Sequence, residues 1–228
     1  MIRLHITTEG ATELQFTEKV LAPHLGNFNV IADARSVLTS KDNRRGKEHR
    51  GGLVTYAKAK QDIQNWIKQD NHPECRFTTM FDLYALPNDF PGYTEARAQQ
   101  NAYEKVKILE TRLAEDIGDD RFIPYVQLHE FEALIFADPQ QLDWEYLEHD
   151  QAIARLTAMV ADKNPELIND NPETAPSKRI LKEIPEYDKV TAGVAVAEKI
   201  GLQPLRAKCK HFDEWVSLLE SLAEGNNE

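Results

Sequence analysis

The sequence is short of cysteine, of long apolar runs and of positive charge, and each shortage excludes a class of protein. The two cysteines, Cys75 and Cys209, are too few for a disulfide framework and lack the Cys-x-x-Cys spacing of structural zinc sites. We therefore expect both to be buried thiols in a reducing compartment. No apolar run approaches the roughly 20 residues that cross a bilayer. Residues 1–5 also lack the pattern of a signal peptide, so we expect a cytoplasmic protein without membrane contact.

The formal net charge is −11, which argues against a protein that coats nucleic acid through a basic face. It does not exclude a metal-dependent nuclease, because clustered carboxylates add negative charge and a bound cation reverses the local field. Residues 41–50, here called the basic segment, differ from the rest. This segment is a candidate for binding phosphates. A solvated loop and a docking surface for an acidic partner are alternative interpretations of equal standing. It contains two acidic residues and five basic residues, which are Lys41, Arg44, Arg45, Lys47 and Arg50.

Alternating hydrophobic patterns predict an α/β fold with one sizeable core. Apolar and β-branched runs predict strands, and apolar stripes at helical spacing predict helices between them. The polar residues 36–52 are predicted to be a loop. This alternation of strands and helices predicts a mainly parallel sheet flanked by helices. The predicted strands are residues 2–7, 29–34, 76–81 and 122–128, and the helices run from Leu14 to Gly26, from Leu53 to Ile67 and from Ala102 to Ile117.

Helical patterns broken by prolines dominate after Pro139. We therefore predict an α/β core in residues 1–138 and a helical extension, residues 139–228, packed on that core. Trp66, Trp144 and Trp215 lie in helical stripes and are expected in the core. The predicted helices of the extension are residues 151–161, 178–183, 189–200 and 212–222.

Acidic side chains follow three of the predicted strands. The ligand site of an open α/β sheet lies beyond the carboxyl ends of its strands, so these side chains are expected to meet there. Mg²⁺ prefers carboxylate oxygens and water, and one or two such ions activate water and stabilise charge on a phosphate. The sequence thus predicts a metal site. Its candidate ligands are Glu9, Glu13, Asp82, Glu130 and Glu132.

Ordinary structural roles compete with each of these assignments. Glu9 alone fits an acid favoured by a helix dipole, and Asp82 fits a turn residue. Glu130 and Glu132 are two residues apart, so on a helix they cannot share a face. At most one of them is then a ligand, with Glu130 preferred, unless the segment starts extended. His129 is expected to be a packed or hydrogen-bonded histidine.

The string Glu9-Gly10-Ala11-Thr12-Glu13 after a first strand resembles the EGxTE opening of Toprim domains. Such domains occur in overcoming-lysogenization-defect nucleases, topoisomerases and primases. A further ordered set, over nearly the whole chain, is similar to a Toprim-like family catalogued as domain of unknown function 4276. That set comprises Phe81–Tyr84, Asp89–Gly92, Arg121–Tyr125, His129–Leu134, Ala175–Arg179 and the stretch from Ile200 to Trp215.

This resemblance implies a Toprim sheet, Mg²⁺ or Mn²⁺ binding and nuclease activity, with an ATPase partner of the AAA or ABC type in anti-phage defence. By position, Glu9 resembles a metal ligand or general acid/base, Glu13 a second acid, and Asp82 the first Asp of a DxD motif. Tyr84 stands where the second Asp belongs. A ligand must then come from Glu130, Glu132 or Asp89, or only one ion is held tightly. Lys178 resembles a lysine that steadies phosphate charge, and a solvated lysine at a helix start is the competing interpretation.

We therefore expect a metal-dependent nuclease that acts on DNA or RNA. The alternative is a non-catalytic or latent adaptor that keeps the Toprim shape and binds an ATPase. The replacement of the second Asp by Tyr84 and the net charge of −11 favour that alternative. A homodimer is expected only from the frequency of such assemblies.

Overall fold

A computed structural model describes residues 1–42, 47–50, 53, 55–168 and 174–224. Its strands are β1 (Ile2–Thr8), β2 (Val30–Ser36), β3 (Leu38–Asp42), β4 (Lys47–Arg50), β5 (Cys75–Asp82), β6 (Phe122–Ile123) and β7 (Val126–Gln127). Its α-helices are α1 (Ala11–Phe16), α2 (Ala22–Gly26), α3 (Tyr56–Gln69), α4 (Tyr93–Arg97), α5 (Ala102–Ile117), α6 (Glu132–Ile135), α7 (Asp150–Val160), α8 (Pro176–Glu183), α9 (Ala192–Ile200), α10 (Leu202–Lys208) and α11 (Lys210–Ser221). A π-helical stretch, Thr17–Leu21, joins α1 to α2, and 3₁₀ turns cover Leu83–Ala85, Pro139–Trp144 and Pro165–Leu167.

The central sheet has the strand order β2-β1-β5-β6, and β7 pairs with β5 as well. The pairings of β1 with β2, and of β5 with β1, β6 and β7, are all parallel. Helices follow or separate these strands, as parallel connections require. The predicted mainly parallel sheet flanked by helices is confirmed.

Both faces of the sheet are buried, which is typical of parallel sheets. Alternate residues of β1, Ile2, Leu4 and Ile6, belong to a hydrophobic cluster that includes residues of α1, α7, α9 and α11. Phe77 and Phe81 of β5 belong to a second cluster, with residues of α3 and α5. Helices after residue 139 therefore cover one face of the sheet. The division of the chain at residue 138 remains a prediction.

The prediction of a loop for residues 36–52 was wrong in part. Strand β2 continues to Ser36, and β3 and β4 pair antiparallel, with Asp42 opposite Lys47. Backbone hydrogen bonds hold a two-stranded ribbon, so it needs no apolar stripe of the kind from which strands are predicted. For this reason the polar, charged sequence of this segment did not predict its two strands.

Other features differ from the sequence prediction as well. The single strand of residues 122–128 is two short strands, because Pro124 has no N–H and the backbone N–H and C=O of Tyr125 bind the hydroxyl of Thr79. Helix α9 begins at Ala192, three residues later than predicted. Trp66 and Trp215 are buried as expected, but Trp144 is 63% exposed. It lies 4.2 Å from the Lys199 ammonium, in a cation–π contact.

Among the described residues, no helix combines the length and the apolar character needed to cross a membrane.

Candidate metal centre

The predicted acidic residues meet at the carboxyl edge of the parallel sheet. The parallel register places Thr8, the end of β1, beside Met80 of β5, and Glu9 continues this pairing through its N–H to the Met80 carbonyl (3.1 Å). Strand β5 ends at Asp82, which pairs with Gln127 of β7. Three strand ends therefore lie side by side. We call Glu9, Glu13, Asp82, Glu130 and Glu132 the carboxylate cluster.

Glu9 and Glu13 are held by backbone donors at this edge. Glu9 Oε2 accepts a hydrogen bond from the N–H of Asp82 (3.2 Å), which ties the end of β1 to the end of β5. Glu13 is buried, and its Oε2 accepts from the N–H of Gly10 (2.9 Å). This second bond is half of a capping box at the start of α1. The helix-start role of Glu13 and its place in the cluster therefore coexist.

Asp82 is the most constrained member of the cluster. Its side chain is buried, and its Oδ2 lies 3.6 Å from the ammonium of Lys189. Its Oδ1 is also buried and accepts no hydrogen bond from any described residue. A buried carboxylate oxygen without a donor is costly unless a cation faces it.

Glu130 and Glu132 face the same cation. Glu130 precedes α6 and Glu132 is its first residue, so the two do not lie on one helix. Their Oε2 atoms lie 3.9 and 3.1 Å from Lys189 Nζ. Glu130 Oε1 accepts from the N–H of Ser177 at the start of α8 (2.6 Å). Glu132, fully buried, accepts from the hydroxyl of Tyr187 through Oε1 (3.4 Å).

Sequence reasoning missed Lys189, which provides the positive charge at this site. Its side chain is 40% exposed, so the ammonium contacts both the cluster and solvent. The sequence prediction placed Lys189 inside a helix, whereas it lies before α9. Asp188 accepts from the N–H of Thr191 (2.7 Å), and Asp188 and Thr191 are residues that commonly precede a helix. That start signal was available in the sequence.

Burial and mutual repulsion shift the protonation equilibria of the cluster. Burial, with the charge of Glu13, raises the pKa of Glu9 to about 7. Burial also raises the pKa of Glu132 to about 7, although Lys189 opposes the shift. The pKa of Asp82 lies well above its ordinary value because of burial and then of Glu13 and Glu9. Lys189 pairs with three of the five carboxylates, and protons or a divalent cation must neutralise the remaining charge.

The donor set fits a hard divalent cation. All five side chains offer carboxylate oxygens, which Mg²⁺ and Mn²⁺ prefer. The Ser177 N–H orients Glu130 and the Tyr187 hydroxyl orients Glu132, in the manner of the outer partners of metal ligands. Asp82 Oδ1, which accepts no hydrogen bond from any described residue, is an oxygen that can bind an ion.

Tyr84 and Asp89 have other partners. The Tyr84 hydroxyl lies 3.0 Å from Nδ1 of His129, a buried residue with a positive φ of 64°. His129 is thus a hydrogen-bonded histidine, as expected. Asp89 accepts from the N–H of Tyr56 at the start of α3 (3.2 Å). Glu130 and Glu132, rather than Asp89, supply the additional carboxylates at this edge.

The predicted phosphate-binding residues lie outside the cluster. Lys178 is exposed on α8, one residue after Ser177. It lines a groove of about 380 Å³ between α7 and α8. Of the basic segment, Lys41, Lys47 and Arg50 lie on β3 and β4, but their side chains fall outside the described part of the chain, as do Arg44 and Arg45 altogether. The other basic residues of the groove are Arg155, Arg179 and Lys182.

Comparison with known proteins places the chain in a family. The model described as Domain of unknown function (DUF4276) matches residues 8–220, which confirms the resemblance seen in the motifs. The C-terminal region of the Burkholderia pseudomallei OLD protein is 15% identical, with a TM-score of 0.46 over 96% of this chain and 98% of that one. The corresponding region of the Xanthomonas campestris pv. campestris OLD protein is 16% identical, with a TM-score of 0.42 over 95% of each chain. No curated protein matches the chain.

Proposed function

We propose a function from the site of this chain, which belongs to the family described as Domain of unknown function (DUF4276). The proposed function is that of a Mg²⁺- or Mn²⁺-dependent phosphodiesterase of Toprim type that cleaves nucleic acid. The observation that carries the proposal is the carboxylate cluster. Five carboxylates meet beyond three strand ends, Lys189 pairs with three of them, and Asp82 Oδ1 is buried and accepts no hydrogen bond from any described residue. Such a concentration of negative charge is stable when a divalent cation binds it.

In this proposal Glu9, Asp82, Glu130 and Glu132 hold the metal, and Glu13 holds metal or orients water. A bound ion would polarise the phosphate and lower the pKa of a bound water. Without an ion the pKa of Glu9 is about 7, so a divalent cation that binds it near neutrality displaces a proton. Lys189 contacts the cluster and is 40% exposed, so its ammonium is placed to neutralise phosphate charge.

We propose that the substrate backbone follows the groove between α7 and α8. Helix α8 begins at the cluster, through the bond from Ser177 to Glu130, and carries Lys178 and Lys182 outward. Lysines beside a cleavage site bind phosphates without reading base sequence. The basic segment is proposed as a second phosphate contact.

The resemblance alone supports two further proposals, an ATPase partner of the AAA or ABC type and a role in anti-phage defence. A cytoplasmic location is proposed from the two cysteines, which are both buried free thiols. A homodimer is proposed only on general grounds.

A second function is favoured by Lys189 and Tyr84. Lys189 already pairs with Asp82, Glu130 and Glu132, and Tyr84 replaces a carboxylate of the resembled motif. A chain whose own lysine neutralises the cluster suits a latent or non-catalytic adaptor that binds an ATPase. Co-purification with an ATPase, without metal-dependent cleavage by the free or the complexed chain, would support the adaptor.

Cleavage of DNA and RNA in the presence of Mg²⁺ or Mn²⁺ tests the leading proposal. Wild type should cleave at least one of them, and the isosteric changes Glu9→Gln and Asp82→Asn should each reduce the rate by 10²-fold or more, on the order of losing one electrostatic catalytic group. Glu198→Gln, an exposed change on α9, is the matched control and should cleave at the wild-type rate. Cleavage that survives both changes in the cluster would reject the assignment.

A further inference from the structure

A second group of potential metal ligands lies around His5, toward the amino end of β5 and separate from the carboxylate cluster. One ring nitrogen of His5, a carboxylate oxygen of Asp70 and the sulfur of Cys75 lie within 4.8 Å of one another. The three come from β1, from the residue after α3 and from the first position of β5. None belongs to the carboxylate cluster.

The His5 ring is fixed in place by its neighbours. Its centroid lies 4.6 Å from that of Trp66 and 5.1 Å from that of Phe77. Cys75 is fully buried, and the side chains of His5 and Asp70 are 10% and 18% exposed. The group is therefore rigid and shielded, with limited access to solvent through His5 and Asp70.

The outer contacts are those that metal-binding residues usually have. His5 Nδ1 lies 2.5 Å from Asp33 on β2 and Nε2 lies 3.0 Å from Asp70, so Nδ1 donates outward and Nε2 faces Asp70. Metal-ligating histidines commonly donate their second N–H to a carboxylate in this way. Asp70 is oriented likewise, because its Oδ1 accepts from the guanidinium of Arg3 (2.9 Å).

Protons occupy this group in the metal-free chain. Both ring nitrogens of His5 face carboxylates, so two donors are present only in the imidazolium. Burial lowers the pKa of His5, but the upward effect of Asp33 and Asp70 is larger. The pKa of His5 is therefore above its ordinary value. Burial and the hydrogen bond to Asp70 raise the pKa of the Cys75 thiol. The positive charges of His5 and Arg3 then balance the two aspartates.

We propose that His5, Asp70 and Cys75 form a site for a borderline-soft divalent ion of the Zn²⁺ class. The N–H bond at His5 Nε2 and the S–H bond of Cys75 break, both protons pass to solvent, and the ion bonds to that nitrogen, to the thiolate and to an Asp70 oxygen. A dication replaces two protons, so the charge of the group is unchanged. Water completes the fourth position.

The ligand types distinguish this site from the carboxylate cluster. Thiolate and imidazole favour Zn²⁺, whereas Mg²⁺ prefers oxygen ligands alone. Because the three ligands join β1, β5 and the end of α3, the ion would clamp that helix to the sheet. The site is independent of the proposed nuclease function.

Titration of the full chain with Co²⁺ tests the site, because a thiolate ligand gives a charge-transfer absorption that carboxylates cannot give. Wild type should show this band, Cys75→Ser should lose it, and the matched variant Cys209→Ser should keep it. Asp33→Asn should weaken binding about 10- to 100-fold. Asp82→Asn should keep the band, since the carboxylate cluster shares no ligand with this site.

A wild-type chain without the band, a band that persists in Cys75→Ser, or one lost in Cys209→Ser would overturn the proposal. Circular dichroism of each variant establishes that it is folded. A second measurement needs no variant: Zn²⁺ added to wild type should release protons, because the Cys75 thiol must lose its proton to bind the ion. Release of no protons would equally overturn the site.

Discussion

At the scale of single residues, Lys189 and the carboxylates around it act on each other in both directions. The ammonium lies within 3.9 Å of Asp82, Glu130 and Glu132. Burial alone would lower the pKa of Lys189, but these carboxylates raise it well above its ordinary value. Lys189 therefore stays charged and neutralises part of the cluster. It also competes with a metal for the same oxygens.

Replacing Lys189 by methionine should separate these two effects. Without the ammonium, Mn²⁺ should bind more tightly, because a competing cation has been removed. Cleavage should nevertheless fall about 10²-fold, because the phosphate loses a charged donor. Calorimetric titration with Mn²⁺ and cleavage rates measure the two effects. Lys199→Met, at an exposed lysine stacked on Trp144, is the control. Wild-type cleavage by Lys189→Met would contradict the proposed contact with phosphate.

The stability of the metal-free chain should fall as pH rises. Folding raises the pKa of Glu9 and Glu132 from 4.5 to about 7. Between these values the folded chain binds more protons than the unfolded chain, so the free energy of unfolding decreases with increasing pH. At about 1.4 kcal/mol per pKa unit, the ionisation of each carboxyl lowers the free energy of unfolding by on the order of 3 kcal/mol at most.

Thermal melts in EDTA from about pH 5 to about pH 8 measure this dependence. The Glu9→Gln chain should lose less stability over that interval than wild type. This comparison separates the effect of Glu9 from that of His5. The pKa of His5 is also raised, so the stability that its protonated form contributes is likewise lost as the pH rises. Saturating Mg²⁺ should flatten the wild-type profile, because it binds the ionised carboxylates. A metal-free stability that rises across this interval would be incompatible with the raised pKa values.

At the scale of elements, the close packing of α9 against the preceding loop positions Glu132. A Cβ on Gly193 of α9 would lie 2.5 Å from the Tyr187 hydroxyl, which is shorter than any contact allows. That hydroxyl donates to Glu132 Oε1. The glycine thus makes room for a group that orients a carboxylate of the cluster.

A double-mutant cycle tests this packing. Gly193→Ala should lower the free energy of unfolding by about 1–3 kcal/mol through overpacking, although alanine favours helix more than glycine does. Tyr187→Phe removes the clashing oxygen, and its nearest ring carbon would lie at an ordinary 3.6 Å. Adding Gly193→Ala to Tyr187→Phe should therefore cost much less. Denaturant unfolding measures all four chains, and strictly additive costs would refute the contact.

Much of the element arrangement could be predicted from sequence. Apolar alternation and helical stripes identified β1, β5, α3 and α5, and the edge rule for parallel sheets brought Glu9, Asp82 and Glu130 together. The β3–β4 ribbon was missed because it lacks an apolar stripe. Lys189 was missed because its contacts with Asp82 and Glu132 are distant in sequence, and no local periodicity encodes them.

At the scale of the whole molecule, two hydrophobic clusters cover the faces of the sheet, and the carboxylate cluster lies beyond its carboxyl edge. One cluster includes Leu4 with Val196 and Val216 of the C-terminal helices, and the other includes Phe77 with residues of α3 and α5. Rigid, buried strands hold the carboxylates despite their repulsion. The same framework brings Lys189, from after residue 139, to Asp82 at the end of β5 and to Glu130 and Glu132.

The location of Mn²⁺ in a crystal of the wild-type chain tests the central claim most directly. Anomalous scattering should show at least one ion bonded to Asp82 and to further carboxylates among Glu9, Glu130 and Glu132, and Asp82→Asn crystals treated identically should lack it. An ion found only elsewhere, or the same peak in the Asp82→Asn crystals, would contradict a metal centre at the carboxylate cluster.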